Sequence, residues 1–286
     1  MVFLLAATIF FLTSCENGVT NPIENPSEPD YSIYLISSDG VSKYMYDEDS
    51  GVATKVISIP SSPVGKAIDA DDSIAVPVKG GYQKLSFDLE NEGVVDLGFD
   101  PRMIVLYDGT IDAVAESTML FNGTVVEFDE TINDAKPGPD GLYVASGKII
   151  YTLPGKNLTM AQWTEPITAI AVDDTGSIYM GVNGKVLIKE LGEVSVNGTV
   201  KNLVLKDDYL YALTDMGYIY KIDVNDIKDV KSCSANITDF FVIDDKIFYV
   251  SNFNGTFGVY DIDSCNSNIL ENISGEELIG ILAKEE

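Results

Sequence analysis

The sequence predicts an all-β fold, a ring of seven four-stranded blades, on three observations. Acidic turns lie at Asp72, Asp108, Asp140, Asp174, Asp208 and Asp245, separated by 36, 32, 34, 34 and 37 residues. Short strands rich in Tyr, Val and Ile flank these turns, as pleated, half-buried surfaces prefer. Both ends of the chain hold an incomplete unit. A period near 35 with four short strands and Gly or Asn turns is the signature of β-propeller blades.

The units follow one another along the chain. The first, YSIYLISSDGVSKYMYDEDSGVATKVISIP (31–60), supplies second, third and fourth strands but no first strand. Looser units follow at 66–88, 101–116 and 131–153, and clearer ones at 167–190, 200–223 and 237–261. Each clear unit reads as an apolar strand, an Asp-rich turn, a second apolar strand, a Gly turn and a third strand. First and second strands such as ITAIAV and KIFYVS are almost continuously apolar, as expected where neighbours cover both faces. Asn122-Gly123, Asn183-Gly184, Asn197-Gly198 and Asn254-Gly255 read as hairpin turns. After the last unit one orphan strand remains, ELIGILA (277–283). Donated to the first unit, it completes that blade, closes the ring and removes an exposed edge. Six complete units and this composite one give seven blades; the irregular stretch 101–162 allows six or eight.

The chain has 286 residues, of which 45% are hydrophobic, enough for a substantial core. With 18 basic and 45 acidic residues its formal charge is −27. Such a surface repels phosphate backbones, so nucleic acid is not expected as a partner and a basic protein is. Histidine is absent. That excludes Ser-His-Asp and Cys-His catalysis and His-containing zinc sites, leaving carboxylate, tyrosine or lysine chemistry.

The N-terminus MVFLLAATIFFLTSC is an apolar run of signal-peptide length, too short for a comfortable membrane span. It ends in Leu12-Thr13-Ser14-Cys15, which resembles the lipobox of bacterial lipoproteins. The resemblance implies a signal peptide over 1–14, a lipid such as palmitate on Cys15, and export to the cell envelope. No Lys or Arg precedes the run, a departure from that pattern. Residues 16–30, ENGVTNPIENPSEPD, lack periodicity and read as an extended spacer, so 15–30 forms a lipidated tether and 31–286 the propeller. Glu16 is not the aspartate associated with inner-membrane retention in that family, which favours the outer membrane where two are present.

Candidate chemistry is sparse. The Asp pairs at 71–72, 173–174, 207–208 and 244–245 all occupy first-to-second strand turns, which a propeller presents on one face. They read either as turn residues, which cap backbone groups locally, or as an acidic ring for cations or a basic protein. DVNDIKD (223–229) begins like a calcium loop but lacks the sixth-position Gly and has Ser234 where the Glu belongs, so no metal site is expected. Cys233 and Cys265 fall in consecutive units and are a candidate disulfide in an exported protein, with two free thiols as the alternative. Trp163 and the tyrosines read as core or turn residues.

GYIYKIDVND (217–226) and GTFGVYDIDS (255–264) resemble the Gly-x-(aromatic or aliphatic)-x-x-x-Asp pattern of quinoprotein-like and surface-layer-type propeller repeats. Quinoprotein enzymes of that group hold a quinone in a specialised site, which has no counterpart here, so no cofactor is expected. The non-enzymatic members include propeller lipoproteins that scaffold outer-membrane protein assembly. The expected function is therefore a monomeric, non-catalytic, lipid-anchored scaffold for protein or ligand binding. The alternative is a carboxylate-dependent carbohydrate-active enzyme, hydrolase or lyase, in the central pocket. Two inward carboxylates would favour the enzyme, and a channel lined by Val, Ser and Thr the scaffold.

Overall fold

The computed structural model describes residues 29–160, 163–188, 191–273 and 275–286. The predicted signal segment 1–14, most of the tether and the lipidation residue Cys15 lie outside the described residues. Asp30, expected at the end of the tether, belongs to the fold. Its amide donates to the Tyr46 carbonyl at 2.9 Å, and its carbonyl accepts from the Glu286 amide at 3.1 Å.

The described residues are all β, with no helix, and form a β-propeller of six hydrogen-bonded sheets. The first holds β1 (Tyr31–Ser37), β2 (Gly40–Asp47) and β3 (Val52–Pro60). The second runs β4 (Ile68–Asp69), β5 (Ile74–Val78), β6 (Gly81–Leu85) and β7 (Asn91–Asp96). The third runs β8 (Met103–Tyr107), β9 (Thr110–Val114), β10 (Thr118–Phe121) and β11 (Thr124–Glu127). The fourth runs β12 (Ile132–Gly138), β13 (Gly141–Ser146), β14 (Ile149–Leu153) and β15 (Asn157–Met160). The fifth has six strands: β16 (Ala169–Val172), β17 (Ile178–Ile188), β18 (Gly192–Lys206), β19 (Tyr209–Thr214), β20 (Tyr218–Asp223) and β21 (Val230–Ser234). The sixth runs β22 (Asp239–Ile243), β23 (Lys246–Ser251), β24 (Thr256–Asp261) and β25 (Asn266–Asn272). The last strand, β26 (Leu278–Glu285), pairs antiparallel with β1, with Leu35 opposite Ile281 and Ile33 opposite Ala283.

Six sheets stand where the repeat predicts seven blades. The difference has a local cause. β18 runs unbroken from Gly192 to Lys206, pairing β17 through its first half and β19 through its second. Asn197-Gly198, expected to turn a hairpin, lies inside this strand, where Gly198 takes φ +95°. Asn122-Gly123 does turn a hairpin, with φ of +47° and +74°. Both angles lie in the left-handed region that Asn and Gly tolerate.

Burial is deepest at the second strands and least at outer strands such as β7. All seven residues of β1 and all six of β13 are buried, whereas every residue of β7 is exposed. Apolar clusters fill the spaces between neighbouring sheets. Tyr34, Ile36, Ile74 and Leu282 join the first sheet to the second, and Tyr211, Phe240 and Ile247 join the fifth to the sixth. Tyr44 and Phe257, both fully buried, meet with ring centroids 4.7 Å apart across the join between the sixth sheet and the first. Within the fifth sheet a further cluster sets Ala169, Ala171 and Val186 against Leu203, Leu210 and Ala212. Trp163, expected in the core or a turn, is in neither: it is exposed, at 36%, in an irregular segment.

Candidate functional site

Each sheet has an inner strand: β26, β4, β8, β12 and β22 at the edges of five sheets, with β16 and the second half of β18 in the fifth. Neighbouring inner strands pack on one another, β22 on β26, β12 on β16 and β16 on β18. Their first residues lie on one face of the propeller, and their turns into the second strands on the other.

A cavity of about 530 Å³ lies among the inner strands, lined by residues from every sheet. Its lining is set by the opening residues of the repeated strand: Lys66, Arg102, Asn133 and Asp134, Lys201 and Asn202, and Asp239. Lys66, Arg102 and Lys201 are exposed, so the cavity opens on the face where the inner strands begin. The rest of the wall is mostly apolar, including Met103, Val204, Phe241, Ile279 and Ile281.

Several of these side chains tie the inner strands together. The Arg102 guanidinium donates to the Ile132 carbonyl of the next sheet. Asn133 Nδ2 donates to the Ile167 carbonyl at 2.7 Å. The buried Asp134 carboxylate accepts from the Ala135 amide at 2.9 Å and, on the neighbouring inner strand, from the Ile170 amide at 2.9 Å; the Lys136 ammonium lies 3.6 Å from it. Asp239, also buried, pairs with Lys66 across β26. Gly280 makes room for that pair, since a Cβ there would lie 3.1 Å from Asp239 Oδ2 and 3.6 Å from Lys66 Cγ. The lining therefore matches neither sequence expectation. It carries two carboxylates, but both are engaged, and four cationic side chains that the sequence reading did not single out. A signal for three of them is present in the repeat: Lys66, Arg102 and Lys201 each stand six positions before a turn aspartate, Asp72, Asp108 and Asp207.

The predicted acidic turns are all first-to-second strand turns, on the opposite face. Asp71, Asp108, Asp207 and Asp244 adopt left-handed φ values from +49° to +65°. Their neighbours are engaged as well: Asp72 accepts from the adjacent Ser73 Oγ at 3.0 Å, and Asp208 from Asn225 Nδ2, 17 residues on, at 3.2 Å. Asp140 lies 3.5 Å from the Tyr143 hydroxyl, and Asp245 lies 3.4 Å from the Lys246 ammonium. Asp174 is exposed in its turn. Burial alone would raise the Asp173 carboxyl, but hydrogen bonds from Thr175, Ser177 and Tyr179 together hold it below its ordinary range. Among the described residues no three acidic, Cys or His side chains converge on a metal-sized site.

Outside the cavity, burial pushes the Asp112 carboxyl on β9 up to about 6, against the hydrogen bond it accepts from the Asn122 amide at 2.8 Å. Its second oxygen has no partner among the described residues. Cys233 on β21 and Cys265 before β25 are joined as a disulfide, Cα atoms 5.6 Å apart, between the outer parts of the fifth and sixth sheets.

No family model matches the sequence, and no curated protein matches it. Solved structures of β-propeller proteins do match. The computationally designed Ika8 protein superposes with a TM-score of 0.59 at 11% identity, over 88% of this chain and 90% of its own. The WD40 domain of Neurospora crassa Pan2 gives 0.59 at 11%, over 79% and 84%. Apo AztD from Citrobacter koseri gives 0.50 at 13%, over 90% and 98%. At these identities the likeness extends to the propeller fold alone.

Proposed function

We propose that this chain is a non-catalytic binding and scaffolding module, a seven-bladed propeller tethered to the cell envelope through a lipid on Cys15. The blade count rests on the fifth sheet, whose own apolar cluster separates β16 and β17 from β19 and β20 as other clusters separate neighbouring sheets. On this count β18 is shared between two blades, and the pairing of β26 with β1 completes the first blade and closes the ring. The Cys233–Cys265 disulfide supports an oxidising, exported location.

One observation carries the binding reading. Lys201 lines both the axial cavity and a shallow depression beside it, where Phe253 and Met216 are 79% and 63% exposed. Two large apolar side chains thus stand beside a cavity mouth on one face, an arrangement suited to a partner or ligand. In-cell cross-linking with mass spectrometry tests the reading. A protein neighbour is expected on wild-type chain and a several-fold weaker one on Phe253→Asp. Recovery of small metabolites and no protein neighbour overturns scaffolding. Labelled palmitate that persists in Cys15→Ala overturns the anchor.

The second reading, a carbohydrate-active hydrolase or lyase, is favoured by the placement of Asp134 and Asp239 in one cavity wall. The engagement of Asp134 by two amides and of Asp239 by Lys66 weighs against it. Oligosaccharide turnover lost in Asp239→Asn, with the fold retained, would establish it over the first.

A further inference from the structure

We infer that the axial cavity binds a small organic anion, a carboxylate or phosphate group carried on an apolar body. The inference rests on the reading of this cavity as a binding site and supplies its ligand class.

The charge distribution is the first argument. A chain of net charge −27 has 18 basic residues, and four of them line this one cavity. Structure accounts for two. Lys66 pairs with Asp239, and Lys136 lies beside Asp134 on its own strand. The other two have no carboxylate partner among the described residues. Arg102 uses one nitrogen on the Ile132 carbonyl, and a guanidinium has further N–H donors in a planar fork that matches carboxylate and phosphate oxygens. The Lys201 ammonium makes neither an ion pair nor a hydrogen bond among the described residues.

The tie to Ile132 occupies only part of the Arg102 fork, and no contact among the described residues occupies the Lys201 ammonium. Asn133 and Thr168, at the equivalent positions of two other inner strands, show that neutral residues serve there. In a protein this acidic, cations gathered in a concave site create a local positive potential that the surrounding surface lacks, and low-dielectric walls focus it. The apolar wall is the second argument. Met103, Val204, Phe241, Ile279 and Ile281 have no use for a bare inorganic ion and suit a hydrocarbon or aromatic body. A volume of about 530 Å³ lies within the range of small-molecule sites, roughly 300–1,000 Å³.

Isothermal titration calorimetry on the full-length chain tests the inference with four probes: phenylsuccinate, phenyl phosphate, inorganic phosphate and neutral 2-phenylethanol. At least one aromatic anion is expected to bind with a Kd below about 1 mM, more weakly as salt screens the charges. Lys201→Gln, an exposed site that leaves every described contact in place, is expected to weaken that binding about tenfold with an unchanged melting temperature. Arg102→Lys keeps the charge, loses the fork and is expected to weaken it as well. Which aromatic anion binds tighter separates a carboxylate ligand from a phosphate one. The inference is overturned if neither aromatic anion binds, if 2-phenylethanol binds equally well, or if Lys201→Gln changes nothing. Inorganic phosphate binding as tightly as phenyl phosphate overturns the apolar body. Failure here with cross-links intact leaves the scaffold reading standing. Loss of the scaffold with calorimetry unchanged leaves the ligand site standing.

Discussion

The two faces of the propeller are made by the same repeated strand and differ in how far its residues repeat. Where the inner strand ends, aspartate recurs from unit to unit, and at four turns an aspartate takes the same left-handed conformation. Where it begins, the equivalent positions hold Lys66, Arg102, Asn133, Thr168 and Lys201, cationic in three units and neutral in two. A turn poses the same backbone problem each time, so the same residue types solve it. The axis poses a different problem to each strand, because the side chains meet one another across a single cavity. Repetition therefore marks architecture here, and departure from repetition marks the candidate site.

That contrast explains what was legible in the sequence. The turns at Asp207-Asp208 and Asp244-Asp245 and the apolar strands beside them announce a propeller because their cause is local. The pairing partner for ELIGILA was legible because β1 lacked an inner neighbour. Two features were not. The merging of two units into one sheet depends on Asn197 and Gly198 staying in the path of β18, which their identities, strong hairpin formers, argue against. The cavity depends on which inner-strand side chains face each other across the axis, and a linear pattern of short strands holds no record of that. The acidic turns recur in every clear unit, whereas the axial cations share an offset from those turns in only three, and their meeting across the axis has no counterpart in the linear pattern.

Removing a tie that serves both faces should have the largest effect. Replacing Cys233 and Cys265 together with serine opens a link between residues 32 apart and is expected to cost about 2–4 kcal/mol in chemical denaturation. Both faces should loosen alike in hydrogen exchange. Protection lost on one face alone would contradict a shared rigid frame.

A cut at the axis should be smaller and one-sided. Asp134→Ala leaves the buried Ile170 amide without its acceptor, an expected loss of about 1–3 kcal/mol. Asp134→Asn keeps an acceptor and should recover most of it. Anion affinity should rise in both variants, because a carboxylate leaves the cavity wall. Unchanged affinity would mean that the wall does not contact the ligand.

At the turn face the effect should be smaller again. Asp207 takes φ +52°, so Asp207→Ala is expected to cost about 1 kcal/mol through left-handed strain, and Asp207→Gly close to nothing. Neither should alter calorimetric anion binding. A change in binding from this turn would show the two faces to be coupled, and the contrast between them would fail.

The mildest test titrates two carboxylates whose surroundings push them in opposite directions. Asp173, in its turn, sits below the ordinary aspartate range, so it stabilises the fold fully above that range. That contribution disappears as pH falls through its folded value. Asp112, buried on β9 with one oxygen unpartnered, is raised from 3.8 to about 6. Its contribution is greatest below pH 3.8, where the carboxyl is neutral in both folded and unfolded chains, and is lost as pH rises through about 6, because the ionised form is desolvated. The self-repulsion of so acidic a chain also changes with pH, so each variant is read as its melting difference from wild type. Relative to Asp112→Asn, wild type should lose ground between pH 4 and 6. Relative to Asp173→Asn, it should lose ground only as pH drops below about 4. The turn aspartate then behaves as a satisfied backbone cap and the strand aspartate as a charge held out of water. A flat Asp112→Asn difference from pH 4 to 7 would mean that water or a neighbour reaches the second oxygen, and that this carboxylate is as well satisfied as those of the turns.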